Sequence, residues 1–183
     1  MRATVPLLHA AAEEARRRAG SDPLSARLVP YLERHAEEER GHDDWLLEDM
    51  AGLGLDPAEV EGRLPPPDVA AMIGAQYYWI AHAHPVALLG CFAVLEGSPL
   101  SVRDVDGLAE RAGVPPAHLR TLYKHAALDP HHRDDLDAVV DGLPLAPAHE
   151  ALMGLSAVTV IDQLAGIVGR LLGVAAGSPA AGQ

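Results

Sequence analysis

Apolar positions along this chain recur every three to four residues, and nowhere do they alternate with polar ones over the length of a strand. That spacing predicts helices. A first helix is expected over 3–19, closed by Gly20. Asp22-Pro23 then supplies an N-cap and a first-turn proline for a long helix running to about Gly52. Asp56-Pro57 starts a short helix, and Pro65-Pro66-Pro67 reads as a rigid connector. A fourth helix is expected over 68–97, kinked by Pro85. Ser101 with Asp104 caps a short helix to Arg111, and Gly113-Val-Pro-Pro opens another from about 115, which Asp129-Pro130 should bend or break. A last helix is expected over 147–173. There is no internal repeat. The pattern predicts an all-α protein, a single helical domain over 1–176 with a flexible tail over 177–183.

Composition narrows this picture. A chain of 183 residues can bury a sizeable core. Nearly half of it is hydrophobic but only 4% is aromatic, a Leu- and Ala-rich bias that favours helix. The formal net charge of −12 argues against nucleic acid or an anionic membrane as partner. The single cysteine, Cys91, excludes an internal disulfide framework and fits a reducing compartment. "MRATVPLLHAAAEEARRR" does not read as a secretion signal, and no segment is expected to reach the ~18 apolar residues of a membrane span. The location expected is cytoplasmic.

Candidate chemistry sits in three places. In "KHAALDPHHRDD", His125, Asp129 and His132 stand at i, i+4 and i+7, on one helical face. In "HAEEERGHDDW", His35, Glu38, Glu39 and His42 follow the same spacing, whereas Glu37 and Arg40 read as a solvated pair. Glu39-x-x-His42 is the unit by which helical bundles hold dinuclear iron, and Asp129-x-x-His132 repeats it with aspartate. Glu96 ends an all-round apolar run, Val86–Leu95, so its carboxylate needs a compensating partner. Glu39, His42, Glu96, His125, Asp129 and His132 together offer three imidazoles and three carboxylates, a donor set that suits iron.

At these residues the chain resembles the haem-oxygenase-like diiron oxidases and oxygenases. The resemblance covers about 30–135 and rests on "YLERHAEEERGHDDWLLEDM", "QYYWIAHAHPVALLGCFAVLEGSPL" and "YKHAALDPHH". It implies a haem-oxygenase-like helical bundle holding two Fe2+ ions per chain, with O2 as co-substrate and a small organic metabolite as the compound oxidised. Carried over residue by residue, the metal ligands become Glu39 or Glu38 with His42, then Glu96, then His125, Asp129 and His132. His35 and Glu38 would orient His42 from behind. His82, Tyr78 and Phe92 would line the substrate pocket. The partners expected are the small-molecule substrate and an external electron donor, with a homodimer left open and neither nucleic acid nor membrane.

Two other readings compete. Haem oxygenase shares the fold, and "RATVPLLHAAAEEA" looks like its proximal-histidine stretch, with His9 as the haem ligand. More distantly, "VDGLAERAGVPPAHLRTLYKH" reads like a helix-turn-helix DNA-binding module that would present Arg120 and Lys124 to a groove.

Overall fold

The computed structural model describes residues 1–173; the tail expected over 177–183 lies outside the described residues, as do 174–176 of the expected domain. Among the described residues the chain forms nine α-helices and no strand. α1 (Thr4–Arg18) buries Leu7, Leu8, Ala11, Ala12 and Ala15 on one stripe, and three arginines in its last turn suit the negative end of the helix dipole. α2 (Pro23–Glu38) starts where the Asp22 carboxylate accepts hydrogen bonds from the Leu24 and Ser25 N–H groups. Its buried stripe continues from Leu24 through Leu28, Tyr31 and Leu32 to His35 and Ala36. α1 and α2 form an antiparallel hairpin, tied on its outer side by Arg16 and Glu33.

The long helix expected from Pro23 to Gly52 is two helices. α2 ends at Glu38 and α3 (His42–Gly52) begins after Gly41, whose φ of 82° lies in the left-handed region open to glycine. The polar run Glu37–Arg40 carries no apolar stripe that would hold one straight helix against the core. Beyond α4 (Pro57–Gly62), the helix expected over 68–97 is likewise divided, into α5 (Pro67–His82) and α6 (Ala87–Leu95). Pro85 does more than kink it, because proline both lacks an N–H and pushes the preceding residue out of the helical region. The His84 side chain fills the gap. Its Nδ1 accepts from the Val86 N–H at 3.0 Å, so its Nε2 carries the proton and donates to Asp22 at 2.8 Å.

α7 (Val102–Ala112) opens on the expected Ser101–Asp104 capping box, and a 3-10 turn (Pro116–His118) leads to α8 (Arg120–Gly142). α8 runs straight through Pro130 instead of breaking there. One missing backbone hydrogen bond is outweighed by contacts on either side: Asp49 holds the start of α8, and Leu136 and His132 are buried further along. α9 (Pro147–Leu171) closes the bundle against α6, so tightly that a Cβ on Gly90 would overlap the Met153 carbonyl. Contrary to expectation, α9 is long and apolar enough to cross a membrane, with mean hydropathy 1.7 over its best window. It is nonetheless fixed to the bundle, where the buried Ser156 hydroxyl donates to Gln76.

The junction of α2 and α6 should make stability pH-dependent. Burial pushes the His84 imidazole below its ordinary range, against the pull of Asp22. Asp22 is also held below the usual carboxylate range: desolvation opposes this, but the Ser25 hydroxyl, His84 and two backbone N–H groups outweigh it. Both groups have depressed folded-state values, so both contributions are present above the unfolded values and are lost as pH falls. Melting temperature should therefore decline as pH drops below about 6.5, the ordinary histidine value. His84→Gln should remove the upper part of that decline, as read by circular dichroism melts between pH 7 and 4. An identical profile for His84→Gln would show that the junction does not titrate.

Candidate metal centre

Three of the site residues come from helix ends, not helix middles. Glu39 caps the end of α2, His42 opens α3, and Glu96 caps the end of α6. α8 supplies His125, Asp129 and His132 from a continuous helix face. Five residues here are polar yet buried: His35 is 1% exposed, His42 3%, Glu39 7%, His132 7% and Glu96 8%. His125 and Asp129 are half-buried beside them.

These side chains gather into two groups. In one, donor atoms of Glu39, His42 and His125 lie within 4.8 Å of one another. Glu39 Oε1 is 3.1 Å from His42 Nδ1, and the His42 and His125 rings meet edge to face at 5.0 Å. His125 Nδ1 lies 2.8 Å from the Thr121 carbonyl, which can only accept, so Nδ1 holds the proton and Nε2 keeps a free lone pair. In the other group His35 and His132 stand edge to face at 5.0 Å. Glu96 reaches both, with Oε1 3.2 Å from His35 Nε2 and Oε2 3.9 Å from His132 Nδ1. The groups share Glu39, whose Oε1 is also 3.7 Å from His132 Nδ1.

The electrostatics are those of a centre short of positive charge. Among the described residues, Glu39, Glu96 and Asp129 ion-pair with no Lys or Arg. Burial opposes ionisation of Glu39, but His42, with His35 and His132 behind it, holds this carboxyl below its usual range. His35 is pushed down by burial and pulled up further by the Glu96 hydrogen bond and the charges of Glu96, Glu39 and Glu38; the net direction is up. Burial raises the Asp129 carboxyl, with Glu96 and Glu39 adding to the rise against His125 and His132. His35 and Asp129 are thus shifted towards their protonated forms, and Glu39 away from it.

Several sequence expectations need relocation. His35 does not support His42 from behind; it lies on the far side of Glu39, between Glu96 and His132, with its ring against Tyr31 and Phe92. Glu38 is exposed and is not among the donors around His42; it faces Arg34 and His35, each at 3.7 Å, and its carboxylate lies within 4.8 Å of donor atoms of His35 and His132, at the outer edge of the second group. His82 and Tyr78 do not line the pocket. They pack on each other on the outer face of α5, where Tyr78 is 62% exposed, because the break at Pro85 turns α5 away from the face that carries Glu96. Phe92 does line a cavity of about 320 Å3 that opens beside Glu39, Glu96, His125 and Asp129. His9 is exposed on α1 and does not reach this cavity. Nor is α8 free to enter a DNA groove, since Arg120 pairs with Glu48 and the Lys124 ammonium sits 3.5 Å from the Trp45 ring centre.

Sequence reasoning missed Asp49. Its buried carboxylate accepts from the Arg120 and Thr121 N–H groups at 3.1 and 2.7 Å, capping α8 from α3. The signal was its position seven residues after His42, on the same face of one helix. Trp45, stacked on His42 at 4.1 Å, was likewise unremarked.

Fold and donor set define a class: an all-helical protein with a buried imidazole–carboxylate centre. The family model described as "Iron-containing redox enzyme" matches residues 5–161, and the chain belongs to that family. A crystal structure from Shewanella denitrificans OS217, of a domain of unknown function with a heme oxygenase-like fold, is similar to this chain with a TM-score of 0.67 at 18% identity. The match covers 96% of this chain and 82% of that one, and the fold is haem-oxygenase-like. No curated protein matches.

Asp49→Ala should remove the cap that fixes His125 relative to His42. The expected loss is about 1–2 kcal/mol in urea unfolding and about tenfold or more in metal affinity. Asp49→Asn, which keeps an acceptor, should recover part of both. Unchanged affinity in Asp49→Ala would show that the cap does not set the site.

Proposed function

We propose that the protein is a non-haem dinuclear iron oxidase or oxygenase that activates O2 to oxidise a small organic metabolite. The observation that carries this reading is a set of buried polar atoms without hydrogen-bond partners: His42 Nδ1, Glu96 Oε2, Asp129 Oδ1 and His132 Nδ1, with His35 Nδ1 nearby. Leaving such atoms unpaired costs about 1–3 kcal/mol each. Several orphans in one place, among carboxylates with no Lys or Arg partner, fit a site built for cations. The hardness of the donors and the lack of thiolates suit iron.

In this reading Glu39, His42 and His125 hold one ferrous ion. His35, Glu96 and His132, joined by Asp129, hold the second, and Glu39 is shared because it lies near His42 and His132 alike. Bound iron supplies the electrons and the open coordination that O2 needs. The protein supplies the rest. Thr121 fixes His125 with its Nε2 lone pair free, and Tyr31 and Phe92 wall in His35. Metal at this centre would compete with protons at His35 and Asp129, whose surroundings favour the protonated forms, so loading would release protons.

The cavity sets the substrate. Leu95, Leu100, Leu122 and Ala126 join Phe92 in an apolar wall, Thr4 and Ser98 add neutral polar groups, and no Lys or Arg side chain lines it. A volume of about 320 Å3 suits a small molecule with an apolar body. The reducing equivalents come from that substrate or from an external donor.

Anaerobic titration should bind about two ferrous ions per chain, the loading of dinuclear helical bundles. Glu96→Gln keeps the shape and removes the charge, so it should bring loading close to one while the helical circular dichroism persists. His9→Ala should change neither. Stoichiometric haem binding lost in His9→Ala, with no ferrous uptake by the unmodified chain, would overturn the proposal in favour of haem oxygenase chemistry.

A further inference from the structure

Helix α9 has two unlike faces. One packs inward through Met153, Ser156 and Val160. On the other, Gly154, Val158, Ile161, Ala165, Val168 and, at the C-cap, Leu172 are all exposed. Their spacings run four, three, four, three, four, the heptad seam of a helix that packs against another helix. The stripe is about 27 Å long. It contains no charge, and Asp162 at its border is the only charged residue between Glu150 and Arg170.

We propose that this stripe pairs two copies of the chain, α9 against α9, antiparallel about a twofold axis. Heptad spacing specifies a helix as the occupant, and the stripe is complementary to its own reverse. Antiparallel alignment centred on residue 163 sets Gly154 opposite Leu172, Ile161 opposite Ala165 and Val158 opposite Val168. Each small side chain meets a large one, as an isologous interface requires. Parallel pairing would set glycine on glycine at one end and leucine on leucine at the other, leaving a void and a crowd. Two such stripes bury on the order of 1,000 Å2 in total, the lower bound of a stable interface.

Other occupants fit less well. The ten residues after Gly173, VAAGSPAAGQ, include one large apolar side chain and cannot fill the seam. A membrane span would strip Ser156 from Gln76 and expose Val160. A helix lying on a bilayer surface needs a cationic rim, whereas α9 has one arginine, Arg170, which is paired with Asp68. This inference does not depend on the metal reading, because the seam lies outside both ligand groups.

Sedimentation of the full chain at about 50 μM, a concentration that populates a dimer of modest affinity, should give twice the 19.3 kDa chain mass. Ile161→Asp adds a charge at an already exposed position, so the chain should fold and load iron normally while the dimer dissociates about a hundredfold more readily. Mild oxidation should cross-link Val158→Cys chains mixed with Val168→Cys chains, but neither variant alone; the unmodified chain, with only buried Cys91, is the blank. A monomeric unmodified chain would overturn the proposal. So would a dimer indifferent to Ile161→Asp, cross-linking of Val158→Cys chains alone, or partition of the chain onto phosphatidylcholine vesicles in place of self-association.

Discussion

Three carboxylates, Glu39, Glu96 and Asp129, are drawn together inside a helical bundle with four imidazoles and no Lys or Arg to neutralise them. Buried negative charge without a Lys or Arg partner is costly, and a bound cation is what would offset it. Much of the architecture serves this constraint. Arg34 is spent outside, on Glu38 and Asp135, and Arg120 on Glu48. His35 and Asp129 are both shifted towards their protonated forms, His35 by the surrounding carboxylates and Asp129 by burial and the nearby Glu96 and Glu39 charges.

The constraint also explains where the helices stop. In a continuous helix from Pro23 to Gly52, Glu39 and His42 would already share a face. What the turn at Gly41 changes is the direction of the chain: it keeps His42 Nδ1 3.1 Å from Glu39 and leads α3 alongside α8. The break at Pro85 similarly frees α6 from α5, so that Glu96 ends a helix buried from Ala87 to Phe92 and faces His35. Asp22, His84 and Ser25 stabilise that break, and Asp49 stabilises the start of α8. The positions of the candidate ligands are thus set in part by polar residues outside the cluster, each satisfying backbone or side-chain groups that a broken helix exposes.

How much of this was legible in the sequence varies by element. The all-α class, the capped starts at Asp22, Asp56 and Ser101, and the clustering of Glu39, His42, Glu96, His125 and His132 all follow from local signals that the structure keeps. The helix breaks did not, because hydrophobic periodicity is blind to a left-handed glycine or to a histidine that replaces a missing backbone bond. That blindness misplaced His82 and Tyr78, whose shared face with Glu96 held only for an unbroken helix. Pro130 erred the other way: proline predicts a stop, and long-range contacts overrode it. His35 was recognised as near the site but given the wrong neighbour, since spacing within one helix says nothing of what a second helix brings opposite.

The central claim is that one buried centre holds two irons, with Glu39 between them. A crystal structure of the ferrous-loaded protein, with anomalous scattering collected across the iron absorption edge, tests it most directly. Two anomalous peaks should appear, one among Glu39, His42 and His125 and one among His35, Glu96 and His132. A single peak, or iron bound at His9 on the outer face of α1, would contradict the account.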